Sequence, residues 1–293
     1  MQQEFVHLHL HSEFSLSDGI IRIEDLVKKS SDLSFSAVAL TDLTNLFGLI
    51  KFYRLARKQG IKPIVGSEIK VAKDLDSQPG SLVMLVKNKT GYTNLTKLVS
   101  KAYVEGQVSG EPIVKLSWLE EYSEGLIALS GGINGHVGQS ILGGNDALTN
   151  SRVDYFHNLF KDDFFIEIQR LGKNNEIEYN QKVIALAMQK KIPLVATNDV
   201  RFLMPVDPDV SPSDFEAHEA RVCIQKGQAL DDPRRSKDYV ENQYLRSPEE
   251  MNELFTDLPE ALENTVKIAE KCNLDLELGE FYLPDFEVPK GQT

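Results

Sequence analysis

Apolar residues along the chain gather in short continuous runs, set apart by longer stretches of helical spacing. Seven runs read as strands: 5–11, 35–41, 62–71, 82–86, 125–129, 164–169 and 193–197. Most are apolar at successive positions rather than alternating, the pattern of strands covered on both faces. Between them, apolar positions recur every three or four residues over 20–33, 46–59, 92–103, 136–142, 146–159 and 174–190, which predicts helices. The segment 113–118 fits neither period. Strands alternating with helices predict parallel βα units, and so a barrel or a doubly wound open sheet. No Gly-rich dinucleotide fingerprint follows the first run, which weakens the open sheet. In a barrel, strand ends converge on one mouth where sites form.

From Leu203 the texture changes. Pro205, Pro208 and Pro212 with Asp207 and Asp209 resist regular structure. A helix is predicted over 214–226, closed by Gly227. Residues 231–239 are charged and irregular. Ser247-Pro248-Glu249-Glu250 is a capping box with proline at the first helical position, opening a helix through Phe255. Pro259 opens another, through Cys272. The tail, 284–293, carries Pro284, Pro289 and Gly291 without periodicity and reads as a linker at a domain edge.

The chain has 293 residues, 41% hydrophobic and 26% charged, enough to bury a large α/β core. Its net charge of −12 repels phosphate backbones, which argues against tight nucleic-acid binding by this chain alone. Two cysteines, Cys223 and Cys272, are too few for a disulfide framework and read as buried thiols. No apolar run is long enough to span a membrane and the N-terminus lacks a signal pattern, so a cytoplasmic protein without membrane contact is expected.

Candidate chemistry concentrates in FVHLHLHSEFSLSDG, residues 5–19. His7, His9 and His11 stand at every second position, so a strand would place all three on one face and Val6, Leu8 and Leu10 on the other. Aligned imidazoles at a strand end, with Asp18 nearby, make half of a metal site; ordinarily hydrogen-bonded histidines are the alternative. His7 lies deeper and reads as structural. His136 and His157 read as surface residues, and His218 as a packing residue. Other polar residues at strand ends are Asp42, Glu68 and Asp199.

In order, the motifs are HLHLHSEFSLSDG, ALTDLTNLFGLIKFY, KPIVGSEIKV, SLVMLVKN with TGYTNL, ALSGG, PLVATNDVRF, AHEARVCIQKG, LDDPRR, SPEEMNELF and PEALENTVKIAEKC. They closely resemble the PHP (polymerase and histidinol phosphatase) domain at the N-terminus of the bacterial replicative DNA polymerase III α subunit, in its proteobacterial form, over nearly the whole chain. The resemblance implies an α/β fold: a distorted, seven-stranded (β/α) TIM-like barrel. The barrel core would cover about 1–202 and a C-terminal helical extension about 212–283, together a PHP domain over 1–283. Residues 284–293 would link to downstream polymerase domains.

In metal-binding members, His, Asp, Glu and Cys ligands at the mouth hold up to three metals. Carried over by position, His9, His11, Asp18, Glu68 and Asp199 match ligands, and Asp42 stands beside them. Four ligand positions are replaced, by Leu43, Ser81, Gly132 and Arg201. Leucine and glycine offer no lone pair, serine is a poor ligand at neutral pH, and arginine brings a fixed positive charge. Losing four ligands should remove most of the site; Arg201 is expected to pair with Asp199 or Glu68 in place of metal. The resemblance therefore implies a non-catalytic structural and docking module in DNA replication, with no cofactor and no residue singled out as catalytic. Its partners would be the proofreading 3′–5′ exonuclease subunit and the downstream polymerase domains. DNA and Mg would be handled by the parent DNA-directed DNA polymerase, a nucleotidyltransferase, and not here. The alternative is a metal-dependent phosphoesterase, a 3′–5′ exonuclease or pyrophosphatase, with residual Zn or Mn. An isolated barrel hydrolase is a third reading, which the linker-like tail and incomplete ligand set oppose.

Overall fold

The computed structural model describes residues 4–280. After an extended segment, 5–12, the chain runs through α1 (Ile23–Asp32), β1 (Ala37–Leu40), α2 (Leu49–Lys58), β2 (Lys62–Ala72) and β3 (Gly80–Val86). It continues through α3 (Lys89–Glu105), β4 (Gln107–Val108), β5 (Glu111–Lys115), α4 (Leu116–Tyr122) and β6 (Leu126–Leu129). Then come α5 (His136–Leu142), α6 (Asp146–Phe160), β7 (Phe164–Ile168), α7 (Glu176–Lys190) and β8 (Leu194–Ala196). The last elements are α8 (Asp214–Lys226), α9 (Pro248–Leu254) and α10 (Pro259–Lys271).

The sheet is organised around β2. Its first half pairs parallel with β1, from Ala37↔Lys62 to Leu40↔Val65. Its second half pairs antiparallel with β3, and its last residues pair parallel with β5. β3 is antiparallel to β6, and the parallel pairs β6–β7 and β7–β8 follow. The extended segment 5–12 joins the two ends: Ala39 N–H donates to His7 O, and His11 N–H donates to Val200 O beyond β8, both at 2.8 Å. The result is a distorted barrel of mixed strand direction wrapped by helices.

Two expectations are corrected here, and one open segment is resolved. The strands are not all parallel, because residues 73–79 between β2 and β3 are too few for a crossover helix, so β3 folds back as a hairpin. Segment 5–11 is extended but only bridged, at His7↔Val38 and Leu10↔Val200, and forms no continuous ladder. Residues 113–118, which fit neither period, divide between β5 and α4, with Trp118 buried.

Inward residues Ala39, Ile64, Val83, Leu85, Ile127, Leu129, Phe165 and Val195 form one cluster with Val6 and Leu8. Ile268, Ala269 and Cys272 of α10 join it. They close it where the parallel strands begin: Lys62 Nζ donates to Ala269 O at 2.7 Å, and Asn264 Nδ2 to Leu194 O, also at 2.7 Å. The mouth, where these strands end, is left to polar residues. The outward residues of the same strands pack under the helices in a larger cluster. This two-sided burial explains the continuous apolar runs.

Local signals set the later helices. α8 and α9 both open on capping boxes, Ser213 with Glu216 and Ser247 with Glu250. α8 ends at Gly227, whose φ of 62° suits glycine. Among the described residues, no helix is long and apolar enough to cross a membrane. Cys223 and Cys272 are both buried free thiols.

Candidate functional site: the barrel mouth

The segment 5–12 bends at His9, and its alternation changes phase there. Val6 and Leu8 face inward, yet so do His9 and His11 above them; Leu10 faces the outer core. The three imidazoles therefore do not share one face, contrary to a straight-strand reading. His7 packs against Phe35 and donates from Nε2 to Arg246 O at 2.9 Å. Burial lowers its pKa to about 4 and keeps it neutral.

His9 and His11 stand in the mouth with ring centroids 5.3 Å apart. Glu68 reaches them from β2, and Asp199 from the turn after β8. Ligand atoms of His9, His11, Glu68 and Asp199 all lie within 4.8 Å of one another, and all four residues are buried. Asp199 holds a φ of 43°, a strained conformation for a non-glycine residue. Asn198 beside it is fixed by donating to Asn242 O and Tyr244 O.

The four are tied into a charge network. His9 Nδ1 donates to Glu167 Oε1 at 2.7 Å, and its Nε2 to Glu68 Oε2 at 3.2 Å. Burial alone would lower the His9 pKa, but the Glu167 and Asp199 carboxylates outweigh it and raise it to about 10. Arg201 donates from Nε to Asp199 Oδ1 at 2.7 Å, and its Nη2 lies 3.4 Å from Glu68 Oε2. Lys173 Nζ lies 3.3 Å from Asp199 Oδ2, and Lys70 Nζ 3.4 Å from Glu68 Oε1. Burial would raise the pKa of both carboxylates, but these cations hold Asp199 and Glu68 well below the usual range. Three buried carboxylates thus face protonated His9, Arg201, Lys173 and Lys70.

His11 differs. Ser15 Oγ donates to Asp42 Oδ1 at 2.7 Å, so it accepts from His11 Nδ1 at 3.0 Å. That leaves Nε2 as the basic nitrogen. It makes no hydrogen bond, yet lies 3.0 Å from Glu68 Oε2. Burial lowers the His11 pKa, so its Nε2 faces the Glu68 carboxylate oxygen across a short gap. Asp42 does not face this gap; it accepts from Ser12 N–H, Ser12 Oγ and Ser15 Oγ and braces the His11 loop.

Asp18 stands apart from the four. Tyr239 Oη donates to its carboxylate, and its carbonyl accepts from Arg201 Nη1 at 3.1 Å. Leu43 lines the mouth beside Glu68. The Ser81 hydroxyl accepts from Lys70 Nζ at 2.7 Å. Gly132 has a φ of 56°, and a Cβ there would stand 3.3 Å from Gln169 Oε1. The open mouth encloses about 510 Å³.

Sequence reasoning missed Glu167. It is fully buried and also accepts from Thr197 Oγ1 and from Gln169 Nε2. Its signal was a lone acid inside the apolar run FFIEI. Lys173, Tyr239 and Gln243, whose Nε2 donates to Asp199 Oδ2 at 2.8 Å, come from loops with no such signal. His136, expected at the surface, is buried because α5 packs onto the β2–β3 hairpin; its Nε2 donates to Val71 O at 2.7 Å. His157 is half-buried. His218 is buried edge-on against Tyr239, with ring centroids 4.5 Å apart.

Comparison with known proteins places this geometry. Residues 7–171 match the family model described as the PHP domain, more than half of the chain. The chain belongs to the PHP domain family. DNA polymerase III subunit alpha of Pseudomonas aeruginosa is 47% identical over 292 residues, covering 99% of this chain and 24% of that protein. The Escherichia coli K12 protein of the same name is 48% identical over 286 residues, covering 97% and 24%. This PHP chain thus spans about a quarter of the length of the curated relatives it matches. Among solved structures, a proposed metal-dependent phosphoesterase from Bifidobacterium adolescentis superimposes with a TM-score of 0.48 at 12% identity, over 67% of this chain and 87% of that one.

Proposed function

We propose that this chain is the PHP module of a DNA polymerase III subunit alpha and serves DNA replication in the cytoplasm as a structural and docking module, not as a catalyst. The module would cover 1–283, with 284–293 leading to the polymerase domains. The observation that carries this reading is Arg201. Its guanidinium sits among the carboxylates a metal would need and pairs with Asp199 and Glu68. A fixed charge there competes with any divalent ion, and with Lys173, Lys70 and protonated His9 it balances the buried acids. Leu43, Ser81 and Gly132 supply no substitute ligand. The partner that fits this role is the proofreading exonuclease subunit. DNA and Mg would be engaged by the polymerase domains, in keeping with the −12 charge of this chain.

The test mixes the purified chain with the exonuclease subunit and follows complex formation by size-exclusion chromatography with light scattering. Phosphoester hydrolysis is assayed in parallel with Zn and Mn. A stable complex and no metal-dependent hydrolysis are expected. Hydrolysis that vanishes in a His9→Ala/His11→Ala variant would overturn the non-catalytic reading, and absence of a complex would remove the docking role.

A second reading, a reduced metal-dependent phosphoesterase, is favoured by one feature: the four clustered donors with the orphaned His11 Nε2. His9, His11, Glu68 and Asp199 would hold one Zn or Mn ion, which supplies an acidified water and polarises a phosphoryl oxygen. Arg201 would first have to leave Asp199, and His9 would have to lose its proton.

A further inference from the structure

The polar strap between α8 and α9 crosses the mouth, and Tyr239 is its point of attachment. The Tyr239 hydroxyl donates to the Asp18 carboxylate. Its ring lies beneath the Arg201 guanidinium, with Cζ 5.6 Å from the ring centroid, and rests edge-on on His218. One aromatic side chain thus holds three groups: the acid that stands apart from the ligand cluster, the arginine that neutralises it, and a buried helix residue. Before Tyr239, the strap is fastened to α8. Arg235 pairs with the buried Glu219, and Lys226 Nζ lies 2.6 Å from Asp238 Oδ2. Beyond Tyr239, Gln243 fixes the strap to Asp199.

We propose that the strap over 228–243 is a latch on the mouth, closed by Tyr239, which withholds Asp18 from the cluster of His9, His11, Glu68 and Asp199 and so limits entry of divalent cations. The proposal rests on the reading of the mouth as a cation site in which Arg201 stands in for metal. The latch acts by population. An ion can gather Asp18 as a fifth donor only while Tyr239 is released, so the apparent affinity is the intrinsic affinity scaled by the open fraction. Tyr239→Phe keeps the ring, with its packing on His218 and Arg201, but removes the bond to Asp18. It raises the open fraction without emptying the site.

Two readouts test this on the same 293-residue chain. Without metal, amide hydrogen exchange over 228–243 should accelerate about tenfold in Tyr239→Phe while the barrel strands are unchanged, since a charge-assisted hydrogen bond is lost. Zn alone, titrated by calorimetry, should bind more tightly by the same factor. Both are repeated in an Arg201→Ala background, where binding is not masked by the guanidinium. Arg235→Ala, which loosens the strap at its α8 end, gives a second route if the tyrosine variant misfolds. Matching increases support the latch. Unchanged exchange, or faster exchange with unchanged Zn affinity in both backgrounds, overturns it. The stand-in reading is judged separately: Arg201→Ala alone must bind Zn better than the parent, whatever Tyr239 does.

Discussion

Arg201 Nε lies 2.7 Å from Asp199 Oδ1, only two residues earlier, while its Nη2 lies 3.4 Å from Glu68 Oε2, on a strand 133 positions away. All three side chains are buried. The first contact is local and belongs to the turn after β8. The second crosses the mouth and locks that turn to β2. One guanidinium therefore joins two buried carboxylates across the mouth.

Removing it should leave two buried carboxylates short of their cation. Arg201→Ala is expected to cost about 3–5 kcal/mol, the range for breaking one side of a buried pair. Denaturant unfolding without metal measures this, and added Zn should recover part of the loss. A variant within about 1 kcal/mol of the parent would show that Lys173 and Lys70 suffice without Arg201.

Glu167 holds the other side of His9. Replacing Glu167 with alanine removes the strongest neighbour stabilising the imidazolium, so the His9 pKa should fall from about 10. NMR titration of the imidazole reads this directly. The same change leaves Thr197 Oγ1 and Gln169 Nε2 without their shared acceptor, so a stability loss of about 2–4 kcal/mol is also expected. An unmoved His9 titration would show that Asp199 and Glu68 alone hold the proton.

Other buried histidines, His7 and His136 among them, set an acid limit. His7, beside Arg246, titrates at about 4 because of burial, and His136, near Arg152, is also lowered by burial. In the unfolded chain both take up protons near 6.5. Between that pH and the lowered folded values, the unfolded state binds more protons. The stability that these two histidines contribute is therefore fully present above 6.5 and falls as pH drops towards 4, by up to about 3 kcal/mol for His7. A series of unfolding curves from neutral to acid pH tests the sign, and His136→Gln should flatten part of the slope. Stability that rises on acidification across this window would contradict the assignment.

Helix α10 is expected to be part of the barrel in energetic terms, since Ile268 is fully buried in the inward cluster. Ile268→Ala should cost about 2–5 kcal/mol, the range for a core cavity. The loss should appear in a single unfolding transition followed by both helix and aromatic signals. Two separate transitions would instead make the C-terminal helices an independent unit.

Much of this architecture was legible in order of sequence. Six of the seven apolar runs became β1, β2, β3, β6, β7 and β8, because two-sided burial writes continuous hydrophobicity into a strand. Capping boxes at Ser213 and Ser247 marked their helices because the signal is contained in four consecutive residues. Arg201, expected from its place in the motif to pair with Asp199 or Glu68, pairs with both.

What the chain alone did not decide are relations between distant residues. The direction of β3 depended on a connector too short to cross over. The phase of His7 against His9 depended on a bend made where the segment 5–12 passes from β1 to Val200. Glu167 and Tyr239 carry no motif; each matters because folding places it beside His9 or Asp18. Local sequence determined which segments are strands, which are helices, and which polar residues end them. Tertiary structure determined which charges share the mouth, since Coulomb energies and proton affinities follow distance and burial, and neither is a property of sequence spacing.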